Sequence, residues 1–438
     1  MKSKINLFLL LFFITHAQAQ NIVLRNVNIL PINHNITIPG CNVFIRDGKI
    51  EKITPFPYVR EPGKRAKKKE STVGYVVHDC GGAYLMPGLA DMHGHLPEKN
   101  DPIKLQQYLN LQLAAGVTLV RSMRGKKEHL AIRDSVKKGI KANAPELCVS
   151  FLLNENDTVM DKGKAENIVK EVSQNGFDFI KYLHGLDEAS FKNLVEACKQ
   201  YTVAIAGHAY QNNFEKTFAA GFRSIEHYQP VLKLFKDDTV KFKQLIPELK
   251  KSAVGICPTL SYYYIYSFDM KEEVLNARNG MNFLSTKIKK EWGKSYKEDL
   301  TRAKEHFKTD FESKYVKPSK SKIESFFPVL KLMANEDVNL LLSPDDGPYN
   351  VPGFSVYEEM MLYKKAGLSN YQILKCATLN AARCLNDNTW GSVEIGKKAN
   401  LVLLSGNPLD DLSNIKKVEA IILHGKYILP EDLVKQPK

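Results

Sequence analysis

From Met86 onward the chain repeats one rhythm, and that rhythm constrains its fold more than any single motif does. Short apolar runs alternate with longer stretches rich in Lys, Glu, Ala and Leu. The runs are the segment ending at His93 and then VTLV, ELCVSFLL, FDFIKYL, TVAIAGH, FRSIEH, AVGICPTL and VNLLLS. Apolar runs this short suit strands buried on both faces, and the stretches between them suit the crossover helices that parallel strands need. There are eight such runs, the number that closes a (β/α)8 TIM-type barrel.

The chain ends have a different texture. After Asn21 come IVLRNVNIL and NVFIRDGKIEKI, the latter with Asp47-Gly48 as a hairpin signal, and after Gly391 come SVEIGKKANLVLLSGNP and VEAIILHGKYIL. Neither end has enough strands to stand alone, so the two are expected to build one composite β-sandwich beside the barrel. The predicted organisation is a β segment over residues 20–78, the barrel over 79–384 and a second β segment over 385–438. The connection between Leu260 and Asn339 is far longer than a barrel connection requires. It opens with Ser261-Tyr262-Tyr263-Tyr264-Ile265-Tyr266 and is expected to form a helical insertion, about residues 261–335, over the barrel mouth.

Residues 1–19 read as a secretory signal: Lys2 and Lys4, an apolar run from Leu7 to Ile14, and Ala17-Gln18-Ala19 as the cleavage pattern. The run is much shorter than a bilayer-spanning helix, so the mature chain is expected to be exported, to the periplasm or the medium, with no stable membrane insertion. Losing this segment removes two Lys and no acid, leaving a formal charge of +12 from the whole chain's +14. The excess lies mainly in Arg60 to Lys69 and in the stretch from Lys287 to Lys322, read as solvated surfaces. Neither run accompanies a nucleic-acid motif, and a small molecule is the expected partner. With 44% hydrophobic and 25% charged residues the chain is neither disordered nor fibrous, and its seven scattered Cys form no disulfide framework.

The run ends carry the chemistry. In His93-Gly94-His95, side chains two apart on a strand share a face and can reach one ion. Lys181, His208, His227 and Asp345 close the fourth, fifth, sixth and eighth runs. Each alone has an ordinary explanation as a satisfied strand-end residue or a turn cap. Gathered at the C-terminal ends of barrel strands they point into one mouth, and nitrogen and oxygen donors of this kind suit zinc or a similar divalent ion.

The segments MPGLADMHGHLPE, GVTLVRSM, FDFIKYL, GHA, GFRSIEH, CPTL and AGLSNYQILKCATLNAARCLNDNTWGSVEIGKKANLVLLSGNPLDD resemble the amidohydrolase superfamily, in its imidazolonepropionase-like metal-dependent branch. The resemblance runs from about Asn21 to Tyr427. It implies a TIM-type barrel with a composite β-sandwich, and a centre of two divalent metals, zinc foremost, bridged by a carbon-dioxide-derived carbamate on Lys181. By position, His93, His95 and Asp345 would hold one ion and His208 and His227 the other. Metal-activated hydroxide would then attack an amide carbonyl, with Asp345 moving the proton.

Three departures stand out. Ser343-Pro344-Asp345-Asp346-Gly347 replaces the usual Gly-Thr-Asp-Ala-Gly, which leaves Asp346 as a rival to Asp345. Val120-Arg121-Ser122 stands where Arg-Asp is common, so one carboxylate behind the ligands is missing. The Gly-rich segment after the third strand is replaced by Leu153-Asn154-Glu155-Asn156-Asp157, which argues against carrying over a relative's substrate. Resemblance to secreted dipeptidases favours dipeptides or N-acyl amino acids, with Tyr182, His184, Tyr228 and Tyr262 as candidate contacts. A mononuclear cyclic-amidine hydrolase or deaminase is the alternative enzyme, disfavoured by Lys181. A non-catalytic binding protein on the same fold is disfavoured because every ligand position is filled.

Overall fold

The computed structural model describes residues 20–56, 71–97, 101–141, 143–153 and 159–434. The expected signal segment, the basic run over 60–69 and most of the loop over 153–157 lie outside the described residues.

The N-terminal part supplies β1 (Ile22–Ile29), β2 (Ile38–Arg46), β3 (Lys49–Pro55), β4 (Val76–Asp79) and β5 (Tyr84–Pro87). Then follow β6 (Leu89–Gly94), β7 (Val117–Ser122), β8 (Glu146–Leu152), β9 (Phe179–Tyr182), β10 (Ile205–Gly207), β11 (Ser224–Glu226) and β12 (Gly255–Cys257). These seven form one parallel sheet in sequential order, wound into a nearly closed barrel with helices between the strands. Near the C-terminus come β13 (Leu401–Leu404), β14 (Val418–Leu423) and β15 (Lys426–Ile428).

The eighth apolar run does not form a regular strand. The Leu340 amide turns back onto the Val338 carbonyl at 2.7 Å, a tight turn that withdraws the donor a ladder would need. The run still closes the barrel through single bonds: Ile256 N–H donates to Asn339 O, Leu341 N–H to Ile256 O and Met92 N–H to Leu342 O. The eighth run therefore delivers Ser343–Asp346 to the mouth without strand geometry.

Both chain ends enter one eight-stranded, mostly antiparallel sheet, ordered β15-β14-β13-β5-β1-β2-β3, with β4 against β1. The sheet reaches Pro87, past residue 78, because β5 is the strand on which β13 pairs. Strand alternation lets it serve two cores. Leu401 and Leu403 pack with Ile22, Leu24 and Leu85 inside the sheet domain, whereas Val402 and Leu404 join the barrel core.

The long connection is helical, as its composition predicts, and includes Leu260–Ile265, Thr286–Phe307 and Lys317–Glu324. It has its own apolar cluster of Ile265, Leu275, Met281, Leu284 and Tyr296, closed by Leu111, Tyr349 and Val351. The Lys-rich Thr286–Phe307 helix buries only Tyr296, and pairs such as Lys294–Glu298 and Lys297–Glu272 leave its charges in solvent. The last helix of this region, Phe327–Asn335, returns to the barrel core through Val329, Leu330 and Met333. All seven cysteines are free. Among the described residues no helix is long and apolar enough to cross a membrane.

Candidate metal centre

The strand ends converge on a cavity of about 400 Å³ whose floor holds His93, His95, Lys181, His208, His227 and Asp345. His93 Nε2 and His95 Nε2 stand 3.7 and 3.5 Å from Asp345 Oδ1, so the three can offer donor atoms to one ion. His208 Nε2 and His227 Nε2 face each other at 3.1 Å. The His227 ring lies 5.1 Å from that of His93, and its Nδ1 meets Thr259 Oγ1 at 2.7 Å.

Bringing His227 to this place requires an unusual backbone. Glu226 and His227 are neighbours, and on a regular strand they would point to opposite faces. His227 adopts φ 67°, which turns its ring to the same side as Glu226, and Thr259 and Asp345 also have positive φ at 52° and 61°. Three non-glycine residues in this sparsely populated region, each costing about 1–3 kcal/mol, cluster where side chains must be aimed at one point.

Electrostatics prepare the site for a cation. Burial pushes the His95 and His208 imidazoles down to about 3, and those of His93 and His227 well below their ordinary value, with Lys181 adding to each shift. All four rings are therefore neutral at physiological pH and keep a lone pair for a metal. Burial raises Asp345 to about 7 and Asp346 well above the ordinary carboxyl value. A bound cation would reverse both directions by favouring the ionised forms.

Lys181 is the most informative residue here. It is 1% exposed, and among the described residues its Nζ has no hydrogen-bond partner. Burial lowers the amine to about 8, with Glu226 and Asp345 opposing the shift. A buried amine without an acceptor is a costly arrangement unless something else engages it. A divalent ion fits this donor set of neutral imidazoles and a carboxylate, beside an amine whose burial favours its uncharged form.

Behind the floor lies a network that sequence patterning did not reveal. Glu226, fully buried, places Oε2 2.8 Å from His93 Nδ1. Its Oε1 accepts from Arg121 Nη2 at 2.8 Å and from the Ser224 hydroxyl. Arg121, 1% exposed, also donates from Nε to Met92 O and from Nη1 to Ser224 Oγ, both at 2.6 Å, tying β7 to β6 and β11. Burial alone would raise Glu226, but Arg121 and Lys181 outweigh it and hold the carboxylate below its ordinary value. Thus Glu226 supplies a carboxylate behind the candidate ligands, where Ser122 supplies none. The sequence signal was an acid and an arginine inside apolar runs, Glu226 directly beside a candidate ligand.

Replacing Glu226 by Gln leaves a hydrogen-bonding side chain but strips Arg121 of its counter-charge. Stability should fall by about 3–5 kcal/mol, the scale of breaking a buried ion pair. Metal affinity should fall about 10- to 100-fold. Thermal denaturation and metal titration on Glu226→Gln read the two effects, and unchanged metal affinity would remove Glu226 from the centre.

Asp346 is engaged elsewhere than Asp345. It accepts from the His95 backbone amide and lies 3.8 Å from His95 Nδ1, while its own amide donates to Asp345 Oδ1 at 2.7 Å. Of the residues expected to contact substrate, His184 and Tyr262 line the cavity. Tyr182 and Tyr228 do not. Tyr182 alternates with Lys181 on β9 and faces away from the mouth, packing on Phe191, Tyr210 and Phe222. Tyr228 packs between Tyr263 and Phe326 in the apolar core.

The model of the Amidohydrolase family matches residues 84–428. The chain superposes with TM-score 0.69 on a Bifidobacterium longum protein assigned as a prolidase, at 20% identity over 94% of this chain and 95% of that one. A Xaa-Pro dipeptidase with methionine bound in its active site gives TM-score 0.67 at 17% identity, covering 94% of this chain and 100% of that one. The bottromycin amidohydrolase gives 0.69 at 19% identity, covering 95% and 89%. At these identities the likeness establishes the fold. No curated protein sequence matches the chain significantly.

Proposed function

The chain belongs to the amidohydrolase family, and from that premise we propose an exported, binuclear hydrolase that cleaves amide bonds of dipeptides or N-acyl amino acids. That it is a metal-dependent hydrolase of carbon–nitrogen bonds follows from the family. The finer reading rests on one observation above others: the Lys181 amine is buried among four neutral imidazoles and a carboxylate, without a hydrogen-bond partner among the described residues.

In this reading His93, His95 and Asp345 would hold one divalent ion, zinc foremost, and His208 and His227 would hold a second, with Lys181 as the residue that would carry the carbamate. When bound, the ions polarise the scissile carbonyl and make water nucleophilic at neutral pH. The protein does the rest. Glu226 fixes the tautomer and orientation of His93, keeping Nε2 toward the centre. Asp346 holds the His95 backbone amide and so fixes that loop. Asp345 accepts the proton of the attacking water and returns it to the leaving nitrogen, from a carboxylate position in reach of the centre. The tyrosines of the insertion line one wall of the cavity with ring surface.

Prolidase- and dipeptidase-type structural neighbours support the substrate class. Export is supported by residues 1–19, and a purified mature protein should begin at Gln20 by mass spectrometry. Stripping the protein with a chelator and reloading it with zinc should restore two ions per chain, faster with bicarbonate present because the amine must first take up carbon dioxide. A single tightly held ion per chain, with full activity on a cyclic amidine and none on peptides, would instead establish the mononuclear alternative.

A further inference from the structure

Arg124 has no part in the metal centre, yet it lines the same cavity. It is exposed, and among the described residues no carboxylate pairs with it. The two acids of the cavity are already committed, Asp345 among the imidazoles and Asp346 to the His95 backbone. A lone exposed arginine is usually only solvated. This one differs in how it is held.

Its backbone is pinned on both sides. The Met123 amide donates to Gly94 O at 2.8 Å, and the Gly125 amide donates to Ser150 Oγ at 3.0 Å. A Cβ at Gly125 would lie 1.9 Å from Ser150 O, so only glycine permits this close approach to β8. Met123 is fully buried. The guanidinium is thus carried on a rigid base just past the end of β7 and lines the cavity, and its charge depresses His95 and His208 and opposes the burial shift of Tyr262. Leu183 and the rings of Tyr262, Tyr263 and Tyr266 complete apolar walls around it.

Resting on the proposed amide-hydrolase reading, we propose that Arg124 is a specificity-determining residue that binds the free carboxylate of the substrate. The substrates are then small N-acyl amino acids or dipeptides with an unblocked carboxylate. A guanidinium fork matches a carboxylate in bidentate fashion. The apolar walls suit a side chain next to the carboxylate.

The test compares wild type with Arg124→Met and Arg124→Lys, all metal-loaded. Equilibrium binding is measured by calorimetry with L-methionine and with L-methioninol, which differ only in carboxylate against hydroxymethyl. Turnover is measured on dipeptides and their C-terminal amides. Wild type should bind methionine at least about 10-fold more tightly than methioninol. Arg124→Met should lose about 10- to 100-fold on methionine and on kcat/KM for free dipeptides, mainly through KM, with methioninol and the amides unchanged. Arg124→Lys should recover part of the loss. Metal content and Tm should stay at wild-type values, because the side chain is exposed and has no ion-pair partner among the described residues. The proposal is overturned if wild type binds the two probes equally or binds neither at millimolar concentration. Equal loss on acids and amides in Arg124→Met overturns it too. If no dipeptide is cleaved but the Arg124-dependent preference for methionine persists, the carboxylate site stands and the peptide-hydrolase reading falls.

Discussion

Lys181→Ala should abolish activity, lowering kcat/KM by on the order of 10³-fold or more, the upper range for removing one charge-stabilising group from an active site. The variant should also retain fewer than two metals per chain, because a carbamate would contribute two anionic oxygens and alanine contributes none. Lys181 is fully buried, so the deletion leaves a cavity and lowers Tm whatever the residue does. Stability alone therefore cannot distinguish a bridging lysine from a structural one. Two further readouts can. Acetate or propionate, small enough to enter the vacated space, should partly restore both metal retention and turnover in Lys181→Ala. Lys181→Met fills that space with an apolar chain and should resist the same rescue. Full metal content with normal turnover in Lys181→Ala would dismiss the binuclear mechanism.

The second large effect separates the two adjacent aspartates. Asp345→Asn should cost about 10²- to 10⁴-fold in kcat, since it removes the group proposed to take and return the proton. Asp345 lies within 4 Å of His93, His95 and His227, so metal binding should weaken as well. Asp346→Asn keeps a side-chain oxygen to accept from the His95 amide. It should reduce activity by about 10-fold or less, the low end for a group that orients a ligand. Kinetics and metal analysis on both variants check this. A larger loss in Asp346→Asn than in Asp345→Asn would exchange the two assignments.

How much of this was legible beforehand can be followed residue by residue. His93 and His95 declare themselves by their spacing, since side chains two apart on a strand share a face wherever that strand lies. Lys181, His208 and His227 declare themselves by ending apolar runs, which in a barrel can mean only one rim. Tyr182 is a candidate contact only as a neighbour of Lys181, and adjacency on a strand argues the other way. A residue next to Lys181 on a strand must face the other way, and it does. The eighth run was read as a strand because its composition is that of one, but the Leu340 amide is spent within a tight turn.

Glu226 and Arg121 show where sequence patterning ends. They are 105 positions apart, and their pairing exists only because β7 and β11 meet across the barrel interior. His227 shares a side with Glu226 only because its backbone is held at positive φ, a conformation uncommon outside glycine that the run pattern does not signal. Arg124 carries no distinguishing sequence signal, and its importance comes from a cavity built by residues far along the chain. The sequence by itself determined the barrel, the shared β domain of the chain ends and the set of candidate ligands, because strand alternation and apolar runs are local consequences of burial. Tertiary structure alone decided which carboxylate backs His93, which aspartate faces the imidazoles and which arginine lines the cavity with no ion-pair partner among the described residues. Those are outcomes of closure, and closure sets distances between residues whose order in the chain does not encode them.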